Sequence, residues 1–440
     1  MRLSIHCPGA MATMAITGGV YLFAILLLVS SQAPLGSRVF FGTVAAASAA
    51  YAAMLARVWR ERHAPRRLLL CALALALAFR IVPALAPVGP DSDMVRYLWD
   101  GRVQRLGYNP YTVIPADPSL AHTHVDESAK MPSRHNRTPY PPGAQLFFRL
   151  VGSVADSTLG MKLALVACDL LTILVLWRWL VLSGRSEWLL LAYAWNPLVV
   201  LEVAHSGHSD VLGALSIAAA AYWLTRRRTL LASVAFALAI SVKFVPIVLA
   251  PLFFGRVRVR DALIGAACLT ALYLPFSSLS GVPLGSVPDV VDRVRFNGPA
   301  FASIAALSSP RIAAVVALLL SLTAALWARR HLSPDDPAGW AWPLAIAIAC
   351  GPVIYPWYLL YFAPFLFSVA TLPLTTWSVS ALSAYVVWDL SRHGARWIMP
   401  GSLMLFEFCA PIAAALVVAL WFRLARHRRS GGSPLGHGSV

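Results

Sequence analysis

Two aspartates and one lysine are of residue types, and lie at positions in the sequence, that a group-transfer reaction needs. Asp91 and Asp93 follow directly after an apolar stretch, and Lys243 lies within another one. A carboxylate beside apolar surface at the lipid–water boundary can act as a base toward a hydroxyl group. When the leaving group is a phosphate, which departs as a stable anion, one base suffices and a cation must stabilise the departing charge. Lys243 is the candidate for that cation, because a lysine within apolar sequence is costly and indicates a function.

These residues also have structural interpretations. Ser92 or Asp93 could cap the helix predicted over Met94–Leu106, where a carboxylate interacts favourably with the helix dipole. Capping requires only one oxygen, and this segment carries more charged side chains than capping alone would use. We expect the apolar side of this helix to lie along the membrane surface. Lys243 could instead extend its ammonium group to the membrane interface.

Three further groups of residues are open to two interpretations each. One has a spacing compatible with metal ligation but favours hydrogen bonding and capping at a helix start. A second could meet a phosphate or acceptor hydroxyls, or form a solvated loop. A third, aromatic group is more typical of a membrane-interface belt than of a sugar platform. The first group, with the metal-ligand spacing, is His205, His208 and Asp210. The second, which could meet a phosphate, is Asp289, Asp292, Arg293, Arg295 and Asn297, and the third, aromatic group is Tyr355, Trp357 and Tyr358.

The composition excludes a water-soluble protein. Of the 440 residues, 59% are hydrophobic and only 12% are charged, whereas a soluble domain has roughly a quarter of its residues charged. The formal charge of +17 is expected of cytoplasmic loops that face anionic lipid, so nucleic acid is not inferred as a partner.

The apolar stretches predict a single polytopic membrane domain over residues 1–429, followed by a disordered tail at 430–440. They lie near residues 12–30, 38–57, 67–87, 158–182, 187–204, 209–225, 229–255, 261–276, 310–328, 338–352, 357–373, 374–390 and 403–424. Splitting the 229–255 stretch into two short helices that meet at Lys243 satisfies the positive-inside rule. This gives about 14 crossings with both termini in the cytoplasm. The long polar stretch at 88–157 is then the main external loop.

Several motifs resemble one family when taken in order and on one membrane side. They are Asp91–Arg102, Gly107–Tyr111, Thr138–Gly143, His205–Asp210 and Ser241–Pro246. Together they look like the GT-C superfamily of multispan glycosyltransferases that use polyprenyl-phosphate sugars. The similarity is greatest to the bacterial mannosyltransferase-like (GT87-type) branch, and the helix layout extends it over most of the chain.

The resemblance implies an all-α, GT-C-like bundle of membrane helices that transfers a sugar, mannose by resemblance, with inversion. The donor would be a polyprenyl-phosphate sugar and the acceptor an external glycolipid or glycan. The catalytic acid in the Asp-x-x-Arg-Tyr frame is Asp93, and Asp91 is the second candidate because Ser92 separates the two. The candidates for binding donor or acceptor are Arg96, Tyr97, Asp100, Asn109, Tyr140, His205, His208, Asp210, Lys243 and Arg295.

No cofactor is required by such a transfer. Some members of the family that this chain resembles use a divalent metal. Mg²⁺ or Mn²⁺ is therefore an optional addition that Asp91 and Asp93 could hold through hard oxygen ligands. The expected location is the plasma (inner) membrane, with the active site on the extracytoplasmic face.

Two other functions stay open at this point. A flippase or transporter of lipid-linked sugars would place ionisable residues within the spans, and Asp169, Glu202 and Glu407 lie in or near them. A ligase of whole lipid-linked glycans would share the predicted architecture.

Overall fold

The computed structural model describes residues 8–61, 65–89, 92–125, 131, 133–277 and 282–430. Asp91 therefore lies outside the described residues, as does the predicted tail at 430–440 except for its first residue. Across the described ranges the chain is helical, without strands, and a single bridge joins Phe296 to Val353. The predicted all-α membrane fold is confirmed.

Eighteen α-helices follow one another along the described chain. They are α1 (Pro8–Ser30), α2 (Arg38–Arg60), α3 (Arg66–Ala84), α4 (Asp93–Arg105), α5 (Pro142–Val154), α6 (Thr158–Leu182), α7 (Leu191–Ala194), α8 (Pro197–Val199), α9 (Asp210–Thr225), α10 (Thr229–Val242), α11 (Val259–Tyr273), α12 (Val287–Arg293), α13 (Pro299–Leu307), α14 (Pro310–His331), α15 (Pro337–Ala349), α16 (Leu372–Ser380), α17 (Val386–Arg392) and α18 (Gly401–Ser430). A π-helical turn, Val200–His205, follows α8. The described chain also has 3-10 segments, among them Val245–Phe253, Pro356–Tyr361 and Ala381–Tyr385.

Seven helices of the described chain are long and apolar enough to cross a membrane. A bent pair, Glu187–Ala194 with Pro197–His205, makes an eighth crossing if its two parts count as one span, and α9, α10 and α15 are shorter apolar helices. The count is lower than the predicted 14 for two reasons. Helices α9, α10 and α15 and the 3-10 segment Val245–Phe253 are shorter than a full span, and the predicted spans at 357–373 and 374–390 are chains of short helical turns. Prolines interrupt these turns, and irregular backbone at such depth is tolerated where protein surrounds it.

The predicted break at Lys243 is present. Helix α10 ends at Val242, and Lys243 has an extended backbone with φ −159° and ψ 149°. The segment that follows is a 3-10 helix, Val245–Phe253, and not the second short α-helix predicted from sequence. The break brings the lysine side chain to the end of α10 and away from its apolar interior.

The apolar residues of helix α4 pack against protein on two sides, and not against lipid as predicted. Met94 and Leu98 belong to the main membrane core. Val95 and Trp99 pack in a separate small core with the external loop. The helix is thus held between the membrane bundle and its external loop, and its first turn has a fixed position.

Candidate active site

Asp93 is the first residue of α4, and its side chain does not cap the helix. The side chain of Ser92 accepts a hydrogen bond from the Met94 N–H at 3.2 Å and therefore caps the helix. Of the two capping candidates in the sequence, Ser92 takes the role. The Asp93 carboxylate is left to interact with groups from other elements.

Four side chains from distant parts of the chain act on Asp93. Tyr140 hydrogen-bonds to it, and His208, Asp210 and Lys243 lie close enough for their charges to affect its ionisation. Burial raises the pKa of Asp93 above its usual value; the cations His208 and Lys243 oppose that rise, and Asp210 adds to it. The net pKa is raised, which makes the Asp93 carboxylate a stronger base than an exposed aspartate.

Lys243 reaches this group from the end of α10. Its Nζ donates a hydrogen bond to Asp210 Oδ1 at 2.6 Å and lies 3.4 Å from the centroid of the Tyr358 ring. The Asp210 side chain is 6% exposed and that of Lys243 is 27% exposed. The lysine is therefore held by a carboxylate and an aromatic face, and part of it stays accessible to a ligand.

His208 is fixed by three contacts. Its Nδ1 lies 2.9 Å from Glu202 Oε2, and its ring stacks on Trp357 with the ring centroids 4.0 Å apart. The backbone N–H of His208 donates a hydrogen bond to the backbone carbonyl of Glu202 at 2.8 Å. The turn requires Gly207, whose φ is +74° and whose added Cβ would come within 1.9 Å of Met94 Cε. The glycine that the sequence places between the two histidines thus serves to fold His208 back onto Glu202.

Aromatic rings form one wall beside Asp93. Tyr97 stacks on Phe148 with ring centroids 4.4 Å apart, and Tyr140 meets both rings edge-on. The Tyr97 hydroxyl accepts a hydrogen bond from the Ser209 N–H at 3.4 Å. These contacts tie α4 and α5 to the turn that carries His208 and Asp210.

Three residues of the predicted binding set are engaged elsewhere. Arg96 pairs with Asp100 at 2.7 Å and donates to the Asn136 carbonyl at 3.0 Å. Asp100 also accepts from Gln145 and is fully buried. Asn109 donates to the Phe276 carbonyl at 3.1 Å. These contacts hold the external loop onto α4 and α5, which is a structural role.

His205 and Arg295 also differ from expectation. His205 lies near Lys162, whose Nζ donates to the Pro83 and Ala86 carbonyls at the end of α3. Arg295 is exposed and donates to carbonyls of its own segment, Val291 and Val294 among them. Neither is among the charged groups that act on Asp93. In the ranges that the structure describes, no three His, Cys, Asp or Glu side chains group as metal ligands, and with Asp91 outside those ranges the optional metal stays a prediction.

Glu202, Tyr385 and Trp357 belong to the site although the sequence did not assign them to it. Glu202 stood out only as an acid in apolar sequence, a signal that a transporter would share. Trp357 was interpreted as part of a membrane-interface belt. Trp357 stacks on His208 and Tyr385 donates to Glu202, and both contacts join segments more than 140 positions apart, so no local pattern reports them.

The arrangement combines the parts of a single displacement. A half-buried carboxylate with a raised pKa can accept the proton of an attacking hydroxyl, and a partly accessible ammonium group nearby can hold a departing anion. The C-terminal part of the chain contributes Trp357 and Tyr358, which contact His208 and Lys243.

An all-α membrane protein with such a site has the form of a multispan helical membrane glycosyltransferase. The family model MptA_B, described as alpha-(1->6)-mannopyranosyltransferase, N-terminal domain, matches residues 8–259. The match covers more than half of the chain, which therefore belongs to this family. No curated protein and no solved structure matches it. Asp93, Tyr140, His208, Asp210 and Lys243 all lie within the matched part.

Proposed function

We propose that this membrane mannosyltransferase uses a polyprenyl-phosphate mannose donor and an external glycolipid or glycan acceptor, and that transfer inverts the anomeric centre. The observation that carries the proposal is that Lys243 lies close enough to Asp93 for its charge to act on that carboxylate, although the two residues lie at the end of α10 and on α4. The positive-inside rule puts the arginines at the start of α3 in the cytoplasm. Asp93 follows the other end of α3, so the site would face the outer side of the membrane.

The step balances with one base and one leaving anion. The acceptor oxygen forms a bond to the anomeric carbon as the bond from that carbon to the phosphate oxygen breaks. Asp93 takes the hydroxyl proton, and the polyprenyl phosphate leaves with the bonding electrons and is stabilised by Lys243. Because the family product is an alpha-(1->6) linkage, inversion requires a β-linked donor, and the attacking group is the primary hydroxyl of an acceptor sugar.

The buried acids of the spans favour this proposal over a transporter. Asp169 is paired with Arg80 and accepts from Tyr193. Glu407 accepts hydrogen bonds from Asn297 and Trp377. Both side chains are engaged in protein contacts, as in structural networks and unlike residues that line a substrate path.

The test supplies purified protein with radiolabelled polyprenyl-phosphate mannose and extracted glycolipid acceptors. We expect Asp93→Asn to lose transfer by more than a hundredfold while donor binding stays within a few-fold, because a base acts in the chemical step. The matched control is Asp117→Asn, an exposed aspartate of the external loop, which keeps wild-type turnover. Unchanged turnover in Asp93→Asn would contradict the base role, and transfer only from a diphosphate-linked oligosaccharide would favour the glycan ligase.

A further inference from the structure

Arginines from three segments meet at one end of the bundle: the turn before α10, the turn before α11 and the end of α14. A hydrogen bond from the Thr229 hydroxyl to Asp261 joins the start of α10 to the start of α11. Arg256 joins the turn before α11 to the end of α14, because its Nη2 donates to the Leu332 carbonyl at 2.6 Å and to the Arg329 carbonyl at 3.3 Å. The surface that results lies at the opposite end of α10 from the candidate active site.

Arg256 and Arg329 form a pair of like charges within this surface. Arg329 Nε donates to the Phe254 carbonyl at 2.6 Å, so each arginine is bonded to the segment that carries the other. Burial lowers the pKa of Arg256, and the charge of Arg329 lowers it further. In the part of the chain that the structure describes, neither guanidinium is paired with an acidic side chain. The two acids that follow α14 are engaged locally, Asp335 with a neighbouring serine and Asp336 as the cap of α15.

Both guanidinium groups keep N–H donors for a ligand. Arg256 bonds to the backbone through Nη2 and Arg329 through Nε. Among the described residues, no partner engages Arg256 Nε and Nη1 or Arg329 Nη1 and Nη2, and none of these atoms is sealed from solvent. The planar fork of a guanidinium group matches two oxygens of a phosphate. Two such groups held by each other's segments can therefore share one phosphate, whose negative charge offsets their repulsion.

The residues around the pair favour a lipid over a soluble anion. Phe254 is 62% exposed and Val259 is 76% exposed, and Trp327, one turn before the end of α14, is 57% exposed. Apolar and aromatic side chains beside arginines are typical of a membrane interface, where the apolar groups contact acyl chains and the arginines contact headgroups. By the positive-inside rule this end of the bundle faces the cytoplasm, where the leaflet surface is negatively charged.

We propose that Arg256 and Arg329 bind the phosphate of one anionic phospholipid from the cytoplasmic leaflet, with Phe254 and Trp327 against its acyl chains. The bound lipid joins the turn before α11 to the end of α14. The site is independent of the proposed reaction, since none of its residues is among those that act on Asp93.

The test counts the phospholipids that stay on detergent-purified protein by native mass spectrometry and measures the Kd of phosphatidylglycerol and of phosphatidylcholine. We expect one retained phosphatidylglycerol per chain, bound about tenfold or more tighter than the zwitterionic lipid. Arg256→Gln with Arg329→Gln should weaken phosphatidylglycerol binding by about tenfold or more and phosphatidylcholine binding by less than about twofold. The matched control is Arg66→Gln with Arg67→Gln, which removes the same charge from exposed positions at the start of α3. This control should change both Kd values by less than about twofold.

Each contrary outcome has its own meaning. Equal losses in the two double variants would show attraction by the whole charged face and would overturn the inference. Equal affinity for the two lipids would also overturn it, and inorganic phosphate that binds as tightly as phosphatidylglycerol would assign the pair to a soluble anion. Because Arg256 also holds the end of α14, Arg329→Gln alone is the second variant. It removes one hydrogen bond, to Phe254, and should weaken phosphatidylglycerol binding by about threefold or more; a wild-type Kd would overturn the inference.

Discussion

Lys243 Nζ lies 2.6 Å from Asp210 Oδ1, a contact between residues 33 positions apart. The pair joins the broken end of α10 to the first turn of α9. Removing either partner alone would leave a poorly solvated charge, which destabilises a protein by several kcal/mol. Lys243 and Asp210 therefore depend on each other for the stability of the fold as well as for the balance of charge.

Lys243→Met should lower kcat/KM by about 10²- to 10³-fold, because the departing phosphate loses its cation. The same change leaves Asp210 unpaired, so thermal stability should fall as well. The double variant Lys243→Met with Asp210→Asn separates the two effects. It should recover stability and stay inactive, as measured by thermal unfolding and by transfer assay. Recovery of activity in the double variant would count against a phosphate-binding role for the lysine.

The stability of the protein should depend on pH through Asp93 with a defined sign. Because the folded pKa is raised, the native state keeps the proton to higher pH than the unfolded chain does. Stability thus falls as pH rises from the usual aspartate range through the raised pKa. Asp93→Asn removes this loss, so its melting temperature should equal or exceed that of the wild type at neutral pH and match it in acid.

Asp156→Asn is the control with the opposite sign. Burial alone would raise the pKa of Asp156, but hydrogen bonds and charges from Arg102 and Arg105 outweigh it and lower the pKa. Its stabilisation is present at neutral pH and is lost as pH falls through the lowered value. The variant should be less stable than the wild type at neutral pH, by at most about 1 kcal/mol for so exposed a group. Parallel behaviour of the two variants would show that the local environments do not set these pKa values.

Asp169→Asn should destabilise the bundle by about 3–5 kcal/mol, since it leaves the fully buried Arg80 guanidinium without its partner. An apolar pair, Arg80→Met with Asp169→Leu, should restore most of that stability and keep transfer activity. Thermal unfolding in detergent and the transfer assay measure both. Loss of transfer in a stably folded apolar pair would show that this ion pair contributes to activity beyond its effect on stability.

Arg295→Ala should leave donor KM and kcat within about twofold. The sequence placed this arginine among the residues that bind donor or acceptor, but its guanidinium is exposed and bonds to its own segment. The 4.8 Å contact with the Phe301 ring is worth little at so exposed a site. A KM increase of tenfold or more for the donor would return Arg295 to the site.

The parts of the site that the sequence predicted are those where a local signal has a physical cause. A lysine within apolar sequence and acids at a helix start are costly unless used, and the charge of Lys243 acts on Asp93 in the folded chain. Arg96 and Asp100 carried the same charge signal but pair with each other. A charge pattern therefore locates polar groups at a membrane boundary without telling which are already neutralised.

The fold class followed from composition, whereas the number of crossings did not. An apolar stretch of 15 to 20 residues predicts depth in the bilayer but not regular helix, and the prolines at 356, 364 and 373 break the stretch into short turns. The pairing of Glu202 with Tyr385, 183 positions apart, depends on that irregular packing. Such contacts require the folded chain.

Gly101→Ala should disturb the site without touching any charged group. A Cβ at this position would come within 2.5 Å of the Phe148 carbonyl oxygen, so α4 and α5 would have to separate. We expect a loss of about 1–3 kcal/mol in stability. A 10- to 100-fold loss in kcat should accompany it, because α4 carries Asp93 and misplacement by about 1 Å is costly. Gly42→Ala on α2 is the control, since its Cβ meets no atom within 4 Å and alanine favours the helix. Equal activity of both variants would show that close packing of α4 on α5 does not position the base.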